Sequence, residues 1–288
     1  MTNGSIVRGS WSRRFMMAAI IQAVILLLIV STAIAPYNSY AQDISMHDED
    51  LTLIVNIEAS RGHLMQALNN KSIGNDNGAI AHAGHPAAEH LDKIAPIIEK
   101  RNPELINELR DKLTRLPSKV PAISYEELRA EIDAIDALFE NASNLISDEN
   151  KGSVQFWFEV MKMLLEHTEE EYEEGVEEEG TVSNIIEYED AQAFIVRAEH
   201  VFTTKVKDSI SSDTSVVIER FFNDVKMAMD EKRSADRIKE LVDGIMPVIP
   251  EFPINLMLIL VGVVALTIMI GRVLMPIKAT VYNGYSNR

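Results

Sequence analysis

An all-α fold, an up-and-down bundle of about seven helices, is what this 288-residue chain predicts, and three observations carry that expectation. Apolar residues between positions 50 and 246 recur at spacings of three and four, the period of a helix with one buried face. No β-hairpin punctuation appears, and alternating apolar runs are short. The breaks between periodic stretches are brief, which favours antiparallel neighbours.

The periodicity places helices at about 50–70, 78–100, 103–116, 124–146, 153–179, 182–211 and 214–246. The breaks fall at Asn75-Asp76-Asn77-Gly78, Asn102-Pro103, Pro117 to Pro121, Glu149-Asn150-Lys151-Gly152 and Gly180. Ser124 three residues before Glu127 is a capping-box pattern and opens the fourth helix. The bundle divides into a front part, 42–148, and a back part, 149–246. A stiff Pro-rich linker, 247–253, follows.

Both ends stand outside the bundle. Residues 1–41 read as a secretory signal: Arg8, Arg13 and Arg14, the apolar run Phe15 to Ala35, and small residues Ser39 and Ala41 flanking Tyr40 at a cleavage position. The alternative is an uncleaved membrane anchor, since the run is long enough to span. A second apolar run, 254–275, has the length of one transmembrane helix, and residues 276–288 form a short tail carrying Lys278 and Arg288. The positive-inside rule puts that tail in the cytoplasm and the helical region outside. The chain is therefore expected to be exported and held at the cell surface by its C-terminal helix.

All 44 Asp and Glu lie between the two apolar runs, against 21 of the 27 Lys and Arg. Such a surface repels nucleic acid and anionic headgroups and attracts cations. Cysteine is absent, so disulfides contribute nothing, a cysteine nucleophile is impossible, and side-chain metal ligands are limited to His, carboxylate, Met and Tyr. No Gly-x-Ser-x-Gly, phosphate-binding glycine loop or His-Glu-x-x-His is present, which argues against an enzyme. The acidic run Glu166 to Glu179 reads as a solvated helix end and lacks the spacing of an EF-hand loop.

The densest chemistry is Ile80 to His90, with His82, His85, Glu89 and His90 in nine residues. On an ideal helix His82, His85 and Glu89 share one stripe, a half-site for a borderline metal such as iron, copper or zinc. Ile80, Ala87, Leu91, Ile94 and Ile98 lie on the opposite side, so the stripe faces water unless the helix is rephased at Pro86 or buried on two sides. Elsewhere, polar residues that fall within or beside apolar arcs are Glu58, His167, Glu171 and Glu187. Inward Glu and His on different helices are how ferritin-like metal sites are built. His63 and His200 fall on the far sides of their helices and are expected at the surface.

Two stretches resemble known families. Pro250-Glu251-Phe252-Pro253, followed by the apolar span and short basic tail, resembles the Pro-Glu-Phe type carboxy-terminal sorting signal of archaeal surface proteins; the resemblance implies removal of the tail and attachment to a lipid. Tyr172-Glu173-Glu174-Gly175-Val176 and Asn184 to Phe194, with its Glu187-Tyr188-Glu189-Asp190-Ala191, resemble the extracytoplasmic helical domain of the high-affinity iron permease family over about residues 155–210. That resemblance implies a helical module that captures or relays iron or copper, with Glu187 at a matching position. The permease helices with their Arg-Glu-x-x-Glu motif are missing, so the chain is not itself the channel.

The expectation is a surface-anchored helical domain that binds an iron or copper ion through His82, His85, Glu89, Glu58, His167, Glu171 and Glu187. Its partners are the membrane, through the C-terminal helix, and a membrane permease or other envelope protein, with no nucleic acid. The alternative is a non-catalytic structural or interaction protein of the cell envelope.

Overall fold

The computed structural model describes residues 47–248. The signal sequence, the apolar run 254–275, the tail and the sorting motif lie outside the described residues. Among those described, no helix is long and apolar enough to cross a membrane.

The helical bundle is built around α1, residues 47–72. Between Leu51 and Met65 its only ionisable residues are Glu58, Arg61 and His63, and a helix so nearly apolar all round belongs in a core. Leu53 to Ser60 are all buried. Gly62 lets Phe194 approach, since a Cβ there would stand 3.0 Å from that ring.

The front helices are α2 (Asp76–His85), α3 (Leu91–Arg101), α4 (Pro103–Lys119) and α5 (Tyr125–Ser143). Packing runs in sequence, with α4 against α2, α3 and α5. Asn102 caps α4, Pro103 supplies its first turn, and the capping box forms at α5: Glu127 N–H donates to Ser124 Oγ, and Ser124 N–H to Glu127 Oε2. The short α6 (Asp148–Gly152) leads into the back part.

There α7 (Val154–Gly175), α8 (Ile185–Val201), α9 (Ser212–Asp230) and α10 (Ala235–Ile245) pack in a closed circuit, α7 on α8, α8 on α9, α9 on α10 and α10 on α7. The sequence expects one helix over 214–246. It is broken instead after Asp230, where Lys232 takes φ +52° and two buried tyrosines clamp the turn. Tyr172 Oη donates to the Arg233 carbonyl at 2.6 Å, and Tyr188 Oη to that of Met229 at 3.0 Å.

The segment 76–101 carries the decisive irregularity. Proline has no N–H to donate at position 86, and the chain responds with a π turn over Pro86–His90, where the Leu91 N–H bonds to the Pro86 carbonyl. The extra residue rephases the helix, so histidines before the proline and the Glu-His pair after it reach a common side while Leu91, Ile94 and Ile98 stay in the core.

Candidate metal centre

The rephased segment delivers His82, His85, Glu89 and His90 against α1 and α8. At the middle is Asp190 of α8, with no solvent exposure. His63 Nδ1 from α1 and His82 Nδ1 donate to its Oδ1 at 2.7 and 3.0 Å, and His85 Nδ1 donates to its Oδ2 at 3.0 Å. One ligand atom from each of His63, His82, His85 and Asp190 lies within 4.8 Å of all the others. Donors around one ion at 2.0–2.2 Å stand at most roughly 4.2 Å apart, so shifts of under about an ångström would close this group on a metal.

A shell of further contacts holds these rings. His82 Nε2 meets Glu189 Oε2 at 2.7 Å, and Asn70 Nδ2 donates to the same oxygen at 2.6 Å. His90 Nδ1 meets Asn56 Oδ1 at 2.9 Å, while its Nε2 faces His63 Nε2 at 3.0 Å. Phe194 packs edge-on against His63 with ring centroids 5.0 Å apart, closing the apolar side.

The electrostatics follow from burial. Burial opposes ionisation of Asp190, but three histidine donors outweigh it and hold the carboxyl well below the usual range. Burial likewise opposes charge on His82 and His85, and Asp190, with Glu189 or Glu89 beside it, raises both above an ordinary histidine. His90 is pushed down to about 2, first by burial and then by repulsion from neighbouring groups, Lys93 among them. Glu171 is pushed up to about 9 by burial and by its hydrogen bond with Glu187, with Asp190 and Glu89 adding to the repulsion.

Of the residues expected from sequence, His82, His85 and Glu89 converge. Glu171 and Glu187 flank the group, bonded to each other and felt by Asp190 and His85 respectively. His167 stands further out, its Nδ1 on Glu170 Oε2 at 3.1 Å. Glu58 does not join them: its carboxylate is taken by Arg61, one turn further along α1, at 2.7 Å, and by Arg197, which reaches it across the α1–α8 interface. His200 is exposed, as expected. His63 is the opposite of its expectation, 1% exposed at the centre, because the side of α1 that carries it is covered by the His82–His90 segment and by Asp190 and Phe194 of α8.

The α8 carboxylate at this centre sits inside the stretch that resembled an iron-permease module. Residues 147–249 match the iron permease-associated 4-helix bundle domain. Neither a curated protein nor a solved structure matches the chain. The matched segment contains the whole α7–α10 circuit, and the geometry gives its motif residues physical jobs. Tyr172 and Tyr188 fix the α9–α10 turn, Gly175 lets α8 approach α7, and Asp190 and Phe194 meet His63. The histidines come from helices before the matched domain, so the centre spans that domain and the segment preceding it.

Of the group His63, His82, His85 and Asp190, sequence reasoning left Asp190 and His63 out of the ligand set, and it omitted His90 as well. A signal existed for Asp190, which lies three residues from Glu187 and four from Phe194, within the apolar arc of α8. For His63 the signal was the near absence of charge around it on α1.

The shifts set a pH dependence for the metal-stripped protein. His82, His85 and Glu171 have raised values, so their contribution is complete below the unfolded values of 6.5 and 4.5 and is lost as pH rises through the folded ones. His90 and Asp190 are lowered, and what they contribute is lost only as pH falls below their unfolded values of 6.5 and 3.8. The melting temperature of the stripped protein should therefore fall between pH 6.5 and 9, measured by calorimetry. A flat or rising curve would contradict these assignments.

Proposed function

We propose that the chain is an exported module, tethered to the membrane by its apolar C-terminal run, that captures a transition metal ion and passes it to a membrane permease. The ion is iron, with copper as the second candidate. The observation that carries this reading is the convergence of two buried histidines, a half-buried one and a buried aspartate from three helices. Burying so many ionisable groups is costly unless they serve each other or a cation. Nitrogen and carboxylate donors without thiolate suit divalent iron, copper or zinc. The domain match points to iron among these. The acidic surface raises the local concentration of cations near the centre.

Loading such a site displaces ring protons, so uptake should strengthen with pH. The test is metal analysis of the full chain, purified without a metal-binding tag and compared with His63→Gln. Near-stoichiometric iron or copper, absent from the variant, is expected. No metal in either protein, and no change in melting temperature on adding Fe2+, Cu2+ or Zn2+, would leave an envelope structural protein as the reading.

A further inference from the structure

The two nitrogens of His63 look into different groups. Nδ1 points to Asp190, while Nε2 faces His90 Nε2 at 3.0 Å, with Glu89 Oε2 3.5 Å from the first and 4.0 Å from the second. The proton positions can be traced. Asn56 Nδ2 donates to the Thr52 carbonyl at 2.8 Å, which turns Oδ1 of that amide toward His90. His90 therefore carries its proton on Nδ1, and its Nε2 presents a lone pair. His63, donating from Nδ1 to Asp190, presents a lone pair from Nε2. Two buried lone pairs pointed at each other repel unless a cation lies between them. Two donors at about 2.1 Å and at right angles on one ion stand roughly 3.0 Å apart, the spacing seen.

We propose that His63 Nε2, His90 Nε2 and the Glu89 carboxylate form a second, outer position for a divalent transition metal, next to the inner group of His63 Nδ1, His82, His85 and Asp190. This rests on the metal-capture reading and deepens it. Two histidines and one carboxylate on adjacent corners of an ion suit Fe2+ and leave its remaining positions to water. Asp190 and Asn56 are the positioning residues, each holding one ligand ring by its Nδ1–H. The outer position assembles with the inner one still protonated. Its carboxylate is also the exposed member, with 43% of the Glu89 side chain open to solvent against none for His82 and Asp190. An ion therefore arrives at the outer position and moves inward by exchanging one nitrogen of His63 for the other. With both positions filled, His63 bridges two ions as an imidazolate, having released the single Nδ1 proton it carried toward Asp190.

The experiment is an anaerobic titration of the full chain with Fe2+, and with Co2+ for its ligand-field absorption, on wild type, Glu89→Ala, His90→Gln and Asn56→Leu. Two ions per chain are expected in wild type and one in Glu89→Ala and His90→Gln. Asn56→Leu should keep two but bind the more weakly held of them 10- to 100-fold less tightly, with an altered Co2+ spectrum. Because Glu89 is half exposed, its variant keeps the fold, which melting checks. One ion in wild type that persists in both Glu89→Ala and His90→Gln overturns the outer position and leaves metal capture standing. One ion that both variants abolish supports the outer position and removes the inner. No ion in wild type, the case of a proton shared between His63 and His90, overturns this proposal and the metal-capture reading together.

Discussion

Asp190→Ala should destabilise the protein by about 3–5 kcal/mol and abolish tight metal binding. The carboxylate accepts from three histidines with no access to water, so its removal strands buried donors on α1 and α2 together. Each buried donor left without a partner costs about 1–3 kcal/mol, and tautomer changes recover only part of that. For a domain of this size the melting temperature should fall by roughly 6–20 °C. Asp190→Asn keeps the shape but not the charge: its amide oxygen still accepts on one side, while its NH2 meets histidine N–H it cannot accept from on the other; it should fold better than the alanine variant and still lose the metal. Asp213→Ala, an exposed acid in the first turn of α9, is the control and should change stability by less than about 0.5 kcal/mol. Calorimetry and metal titration on the three variants check the ordering. An Asp190→Ala protein with wild-type melting and wild-type metal content would remove Asp190 from the centre.

Gly175→Ala should cost about 3 kcal/mol without touching any ligand. A Cβ at this position would stand 2.5 Å from the Tyr188 backbone nitrogen and 2.9 Å from its Cα, so backbone and not a movable side chain is in the way. The carbonyl of Gly175 also accepts from the N–H groups of Ser183 and Asn184, pinning the loop that turns α7 into α8. Pushing α8 outward displaces Tyr188 from the Met229 carbonyl and shifts Asp190 two residues further on. Stability and metal affinity should thus fall together, measured by urea unfolding and by titration of the same samples. Melting with the wild type would show that α7 and α8 can separate freely at this point.

The fold was largely legible in the sequence because helix periodicity and capping are local. Ser124 and Glu127 sit three residues apart, and their box forms from that spacing alone. The break at Lys232 was not legible, because the groups that hold it, Tyr172 and Tyr188, belong to other helices. The centre was legible in part. His82, His85 and Glu89 stood out as a dense local motif, and Pro86 marked the point of rephasing. Projection on an ideal helix put them opposite the apolar face, because it carries one period through a segment that inserts an extra residue.

By itself the sequence determined a helical acidic chain without cysteine, a histidine-rich segment interrupted by proline, and a stretch resembling an iron-permease module. Only the tertiary structure decided which ionisable groups meet. Glu58, expected in the candidate centre, is held instead by two arginines, one of them more than a hundred residues away. His63, read as a surface residue, became the ring that touches Asp190 on one side and His90 on the other. Helical projection tells which way a side chain points from its own axis. What lies in that direction, water or another helix, depends on packing between segments far apart in the chain, and that packing made the centre.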